Sequence, residues 1–184
     1  MAQRYRLTQA EITIAVLDCA VLAAACLLAY WLVTGLLSQV FFLSRADSLL
    51  GGMWAVIATV FVFRASYADS MAAALSRIAA TSVSFVLCLI YLALLPFHPW
   101  ALALLVGVSA LVVTLIGRPG DAVTAGITTA VIMVVAAVSP QHAWQQPILR
   151  FADTVIGVAV GVAAAWLGLS VLRPWLRKVR YPRG

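Results

Sequence analysis

Six long apolar runs, separated by short polar turns, take up most of the chain. They cover residues 12–37, 49–67, 72–95, 100–117, 122–138 and 148–172. Each is close to the about 20 residues that a helix needs to cross hydrocarbon. The runs are continuous rather than alternating, which excludes an outer-membrane barrel, whose strands switch between lipid and lumen at every residue. The turns carry matching punctuation. Pro96-Phe-His-Pro99 cannot continue a helix. Asp69 or Ser70 is placed to cap the third run and Asp121 the fifth, and Pro147 suits the first turn of the sixth. The pattern predicts an all-α polytopic membrane protein of six transmembrane helices, forming one domain over residues 1–184.

Composition agrees. Hydrophobic residues make up 65% of the 184 positions and charged residues 10%, against roughly 25% charged in a soluble domain. The first run is about twice the length of a signal core and leads into no soluble region, so it reads as a retained span. The net charge of +6 sits mainly at the two ends. Arg4 and Arg6 precede the first run, and Arg173, Arg177, Lys178, Arg180 and Arg183 form a basic tail over 173–184. Positive residues favour the cytoplasmic side. An even number of spans then puts both termini in the cytoplasm, with the turns at 64–77 and 118–121, and leaves only Arg45 and Arg150 facing outward. This is the arrangement of a multi-pass bacterial inner-membrane protein. In such a chain the basic tail is read as lying on anionic lipid headgroups rather than on nucleic acid.

Catalytic chemistry is poorly represented. Cys19, Cys26 and Cys88 lie inside runs without ligand spacing, and His98 and His142 sit in turns with no acidic or cysteine neighbours. No metal site, cofactor motif or nucleophile–base pair is found, so an enzyme is not expected.

One short pattern recurs. Arg77-Ile-Ala-Ala-Thr81-Ser-Val-Ser84 is echoed by Arg150-Phe-Ala-Asp-Thr154-Val-Ile-Gly157, an offset of 73 positions from Arg77 to Arg150. Ser66 and Ser139 fall at the same offset, and Trp54-Ala-Val-Ile-Ala-Thr59 weakly resembles Ile127-Thr-Thr-Ala-Val-Ile132. Runs three apart cross in opposite directions, so the repeat predicts a 3+3 inverted arrangement, a plan common among transporters. Gly157 and Gly161, four residues apart, predict close helix packing.

An ionisable residue within an apolar run is expensive and marks a functional candidate. Arg77 and Thr81 share a helix face, as do Arg150 and Thr154. A guanidinium supplies paired donors to a carboxylate, and a hydroxyl one turn away adds a third. Arg77 is the stronger candidate. Arg150 stands beside a turn, where snorkelling to the headgroups explains it equally well. Asp153 is placed to pair with Arg150 and has no counterpart in the first copy, where Ala80 stands. Arg64 is a further candidate for the cytoplasmic mouth. Asp18, inside the first run, either carries a proton, because hydrocarbon disfavours its charged form, or pairs with Arg64 or Arg77.

Taken together, Trp54-Ala-Val-Ile-Ala-Thr59, Arg77-x-x-x-Thr81, Thr128-Thr-Ala-Val-Ile132 and Arg150-x-x-x-Thr154-x-x-Gly157 resemble the fusaric acid resistance family of membrane proteins, which includes the aromatic acid exporters and has the plant aluminium-activated malate transporters as relatives. The resemblance implies a six-helix module that exports or conducts organic anions, often with proton coupling, with Arg77 and Arg150 as its basic residues. Ser84 departs from the glycine expected after the first Arg-Thr pair. Many members carry a large cytoplasmic domain or a second membrane module that these 184 residues do not contain, so self-association as a homodimer or larger is expected. The leading expectation is a carboxylate exporter. A passive anion channel and a non-transporting membrane subunit that docks partners are the alternatives.

Overall fold

A computed structural model describes residues 9–37, 39, 44–64, 66–138, 140, 143–168 and 170. The basic tail at 173–184, Arg4, Arg6, Ser139, His142 and the end of the sixth expected run lie outside the described residues.

The described chain is helical. Helix α1, Gln9–Trp31, continues as a π-helix, Leu32–Leu37. Then come α2, Arg45–Val62; α3, Tyr67–Leu94; α4, Pro99–Leu115; a 3-10 turn, Pro119–Asp121; α5, Ala122–Val138; and α6, Gln145–Leu167. Among the described residues five segments are long and apolar enough to cross a membrane: Ile12–Leu36, Arg45–Val62, Tyr67–Leu94, Pro119–Val138 and Gln145–Leu167. The other apolar helix, α4, has 17 residues, about 26 Å of rise against a hydrocarbon thickness of about 30 Å. The protein is therefore a multi-pass membrane protein, with five full-length candidate spans and one shorter apolar helix among the described residues.

Helix starts differ from those expected, and caps explain two of the shifts. The Ser44 hydroxyl accepts from the Asp47 backbone N–H at 3.1 Å, so α2 begins at Arg45 and takes Asp47 into its first turn. Ser66, rather than Asp69 or Ser70, caps α3 by accepting from the Asp69 N–H at 3.1 Å. That starts the helix at Tyr67. α6 begins at Gln145, which moves Arg150 a turn further inside.

α6 packs along α2 and α3. α3 also packs on α5, α5 on α4, and α1 on α2 and α6. α2 and α6 run parallel, as successive pairs show: Asp47 with Gln146, Trp54 with Thr154, and Ala55 with Gly157. α3 and α5 also run parallel, with Ser76 on Asp121 and Ser84 on Ala125. α3 and α6 are antiparallel: Phe85 meets Phe151 at 5.1 Å between ring centroids, and Ala74 near the other end of α3 joins Val158 in one apolar cluster.

The α2–α6 approach depends on small residues. A Cβ on Gly157 would collide with the Ala55 carbonyl oxygen and lie 2.8 Å from the Ala58 Cβ, and one on Gly161 would lie 3.0 Å from the Thr59 carbonyl oxygen. Close approach of this kind is how helices gain contact in lipid, where no hydrophobic force acts between them. The Thr59 hydroxyl donates between the Ala55 and Gly157 carbonyls, at 2.9 Å from each, and ties the two backbones together.

Candidate functional site

The buried face of α3 reads Ser70, Ala74, Arg77, Thr81, Ser84 and Cys88, a stripe at three- and four-residue spacing. Arg77 is the long residue in that stripe and is 3% exposed. It lies about 15 Å along the helix from Tyr67 at 1.5 Å per residue. Its guanidinium carbon sits 4.9 Å from the Phe61 ring centroid and 5.3 Å from that of Trp54. These two aromatics are seven residues apart on α2 and so share a face. Trp54 is fixed in turn. Its indole N–H donates to the Thr154 hydroxyl at 3.0 Å, and that hydroxyl donates to the Arg150 carbonyl at 2.8 Å.

What Arg77 lacks is a polar partner on one edge. Its Nε and Nη2 are buried and make no hydrogen bond, and neither does the Thr81 hydroxyl one turn further on. Nε–H and Nη2–H are the two parallel donors with which a guanidinium grips a carboxylate. Among the described residues the ion pairs are Arg118–Asp121 and Arg150–Asp153, and Arg77 belongs to neither.

The surroundings of Arg150 differ. It is 1% exposed, as is Asp153, and its Nη1 lies 3.2 Å from the Asp153 Oδ2. Its Nη2 points at the Asp47 carbonyl at 3.5 Å, and the Gln146 side-chain amide donates to the Asp47 carboxylate at 3.2 Å. Asp153 fits because Gly51 faces it: a Cβ there would sit 3.0 Å from one carboxylate oxygen. Arg150 is therefore not a headgroup anchor at a helix edge. The early start of α6 and the packing of the first turns of α2 over it place it inside the protein.

The structure thus brings Arg77 beside Thr81, and Arg150 beside Asp153, with Trp54 and Thr154 between the two arginines. Thr154 is already engaged at both its donor and one acceptor position. Arg64 and Asp18 stand apart from this buried set. Arg64 is exposed beyond the end of α2, its backbone N–H donating to the Ser70 hydroxyl at 3.1 Å, and Asp18 is half-buried on α1. Sequence reasoning passed over Asp47, Gln146 and Phe61. The signals available were the Ser44-x-x-Asp47 cap, a polar Gln145-Gln146 pair opening an apolar run, and the spacing of Phe61 from Trp54. Among the described residues no group of three or more His, Cys, Asp or Glu is placed to hold a metal ion.

A buried guanidinium with its carboxylate-gripping edge unpartnered, a hydroxyl beside it and two rings against it, has idle donors of the kind that hold a planar oxyanion. The sequence profile described as fusaric acid resistance protein-like matches residues 37–164, more than two thirds of the chain. No curated protein and no solved structure matches.

Proposed function

The chain belongs to the fusaric acid resistance protein-like family, and from that premise we propose that it is an inner-membrane exporter of organic carboxylates, aromatic ones foremost, that receives the anion at Arg77. The observation that carries this reading is the unpartnered Nε–Nη2 edge of Arg77 beside the unpartnered Thr81 hydroxyl. A charge taken out of water costs several kcal/mol when uncompensated. The Trp54 and Phe61 rings return about 0.5–2 kcal/mol of that as cation–π attraction. A ligand carboxylate supplies the remainder with two charge-assisted hydrogen bonds. The buried Trp54 indole offers an aromatic acid a face to rest on.

The helix packing supports a six-span, 3+3 inverted arrangement. Exchanging the first three helices for the last three turns the α2–α6 contact into the α5–α3 contact, and the α1–α2 contact into the α4–α5 contact. With both termini cytoplasmic, Arg77 lies in the inner half of α3 and meets the anion from the cytoplasm. Arg64, exposed beyond α2, serves the cytoplasmic mouth, and Asp18 serves as a proton carrier. The basic tail rests on anionic headgroups. The protein works as a homodimer or larger assembly, with no enzymatic activity and no nucleic-acid partner.

The test is efflux of labelled benzoate from proteoliposomes at pH 8. Arg77→Gln lowers the protein-dependent flux by roughly tenfold or more, because two charge-assisted bonds are lost. Undiminished flux in that variant sinks the reading. Flux that follows the anion gradient and ignores an imposed pH gradient replaces the coupled exporter with a passive channel.

A further inference from the structure

The two arginines sit at matching helix contacts. Arg77 and Arg150 are 73 positions apart, as are Val33 and Val106. Val33 lies against Gly51 at the α1–α2 contact, and Val106 lies at the matching α4–α5 contact against Gly126, two positions beyond the counterpart of Gly51. Asp153 packs on Gly51, and its counterpart Ala80 packs with Ala125. Asp47 in the first turn of α2 holds Gln146 of α6, and Asp121 just before α5 holds Ser76 of α3. The chemical difference falls three residues after each arginine, where one copy has Asp153 and the other Ala80.

The Arg150–Asp153 pair is also loosely made. The contact runs through one end nitrogen at 3.2 Å, and neither carboxylate oxygen accepts a well-formed hydrogen bond. Arg150 Nε and the Gln146 side-chain oxygen are buried and unpartnered beside it. A buried pair that serves structure alone gains from having every donor and acceptor satisfied. This one leaves a guanidinium N–H unused while supplying the opposite charge.

We propose that Arg150 is a second carboxylate site, held shut by Asp153 acting as a tethered counter-ion, so that the protein has one open anion site and one closed one. This rests on the reading of Arg77 as a carboxylate site. Asp153 neutralises at Arg150 what the ligand neutralises at Arg77. The remaining charged group facing the pair, Asp47 of α2, is engaged by the Ser44 hydroxyl at 2.6 Å and by Gln146 at 3.2 Å, and so leaves the closure to Asp153.

Equilibrium binding of labelled benzoate to the detergent-purified full chain tests the proposal. The wild type binds one benzoate per chain, and Arg77→Gln abolishes it. Asp153→Asn roughly doubles the bound benzoate by freeing the Arg150 donors. The decisive protein is the double variant Arg77→Gln with Asp153→Asn. It regains one site that Arg77→Gln alone lacks, and adding Arg150→Gln removes that site again. Damage to the fold does not create binding, so the gain is specific. Asp153→Ala, which copies the residue at position 80, serves as the second variant and gives the same gain. The proposal is overturned if both Asp153 variants run as monodisperse protein and bind no more benzoate than their parents. The reading of Arg77 fails separately, when wild-type binding is insensitive to Arg77→Gln; a new site in Asp153→Asn would still appear in that case.

Discussion

Two arginines on helices three apart are buried to nearly the same degree, and their partners make them opposites. Arg150 is charge-matched within the chain by Asp153, and it sits where the first turns of α2 and α6 come together. Arg77 has aromatic rings and an idle hydroxyl, and its gripping edge is unpartnered. Burial therefore does not distinguish a charge-matched arginine from an unmatched one. The counter-charge does. A buried cation matched by a carboxylate of the chain is held closed, and one with no counter-charge in the chain is poised for something from outside.

Stability measurements attack this contrast most strongly. Arg150→Gln strands the Asp153 carboxylate in the interior and costs about 3–5 kcal/mol. Arg77→Gln removes a charge that nothing in the chain compensates, so it leaves stability unchanged or raises it. Thermal unfolding midpoints in detergent check this, and equal losses in the two variants erase the distinction. Next in size is the helix contact beneath Arg150. Gly157→Val drives a side chain into the Ala55 carbonyl and costs about 1–3 kcal/mol. The equivalent position in the first copy, Ser84, donates to the Ala125 carbonyl at 2.9 Å, and Ser84→Ala there costs about 1 kcal/mol. A Gly157→Val protein as stable as Ser84→Ala would mean that α6 does not press on α2 as closely as described.

The two threonines sharpen the comparison with smaller effects. Thr154→Val leaves the Trp54 indole N–H buried without an acceptor, a loss of about 1–2 kcal/mol. Thr81→Val breaks no hydrogen bond in the empty protein and leaves the unfolding midpoint unmoved, while benzoate binding weakens by roughly fivefold for the lost third donor. The informative result is the crossing of the two readouts, with stability following Thr154 and affinity following Thr81.

Much of this was legible along the chain, and the rest was hidden for physical reasons. α5 occupies 122–138 as expected, because its run ends cleanly on both sides. The pairing of Arg77 with Thr81 followed from helical spacing alone. The start of α3 differs from the expected one because Ser66-x-x-Asp69 caps the helix just as Ser44-x-x-Asp47 does, a pattern that the sequence carries. The burial of Arg150 is a tertiary fact. It depends on the first turn of α2, about a hundred positions away, folding over the first turn of α6. The role of Phe61 was invisible for the same kind of reason, since a ring meets a guanidinium only once α2 and α3 are side by side.

Phe61 gives the finest test. Two rings face one guanidinium, yet Trp54 is 2% exposed and tethered by Thr154, while Phe61 is 44% exposed. The buried, anchored indole belongs to the wall of the site, and the exposed phenyl ring closes it from outside. Phe61→Leu keeps most of the apolar bulk and deletes the ring quadrupole, so it costs about 0.5–1 kcal/mol of cation–π attraction at a partly exposed position. That loss falls on the empty state, in which the ring stands against an uncompensated charge. Once a carboxylate has neutralised Arg77, the ring contributes little electrostatically. Phe61→Leu should therefore destabilise the empty protein slightly and tighten benzoate binding by about two- to fivefold, because ligand and ring compete to stabilise the same cation. Weaker binding instead would make Phe61 a platform for the aromatic ligand rather than a substitute for its charge.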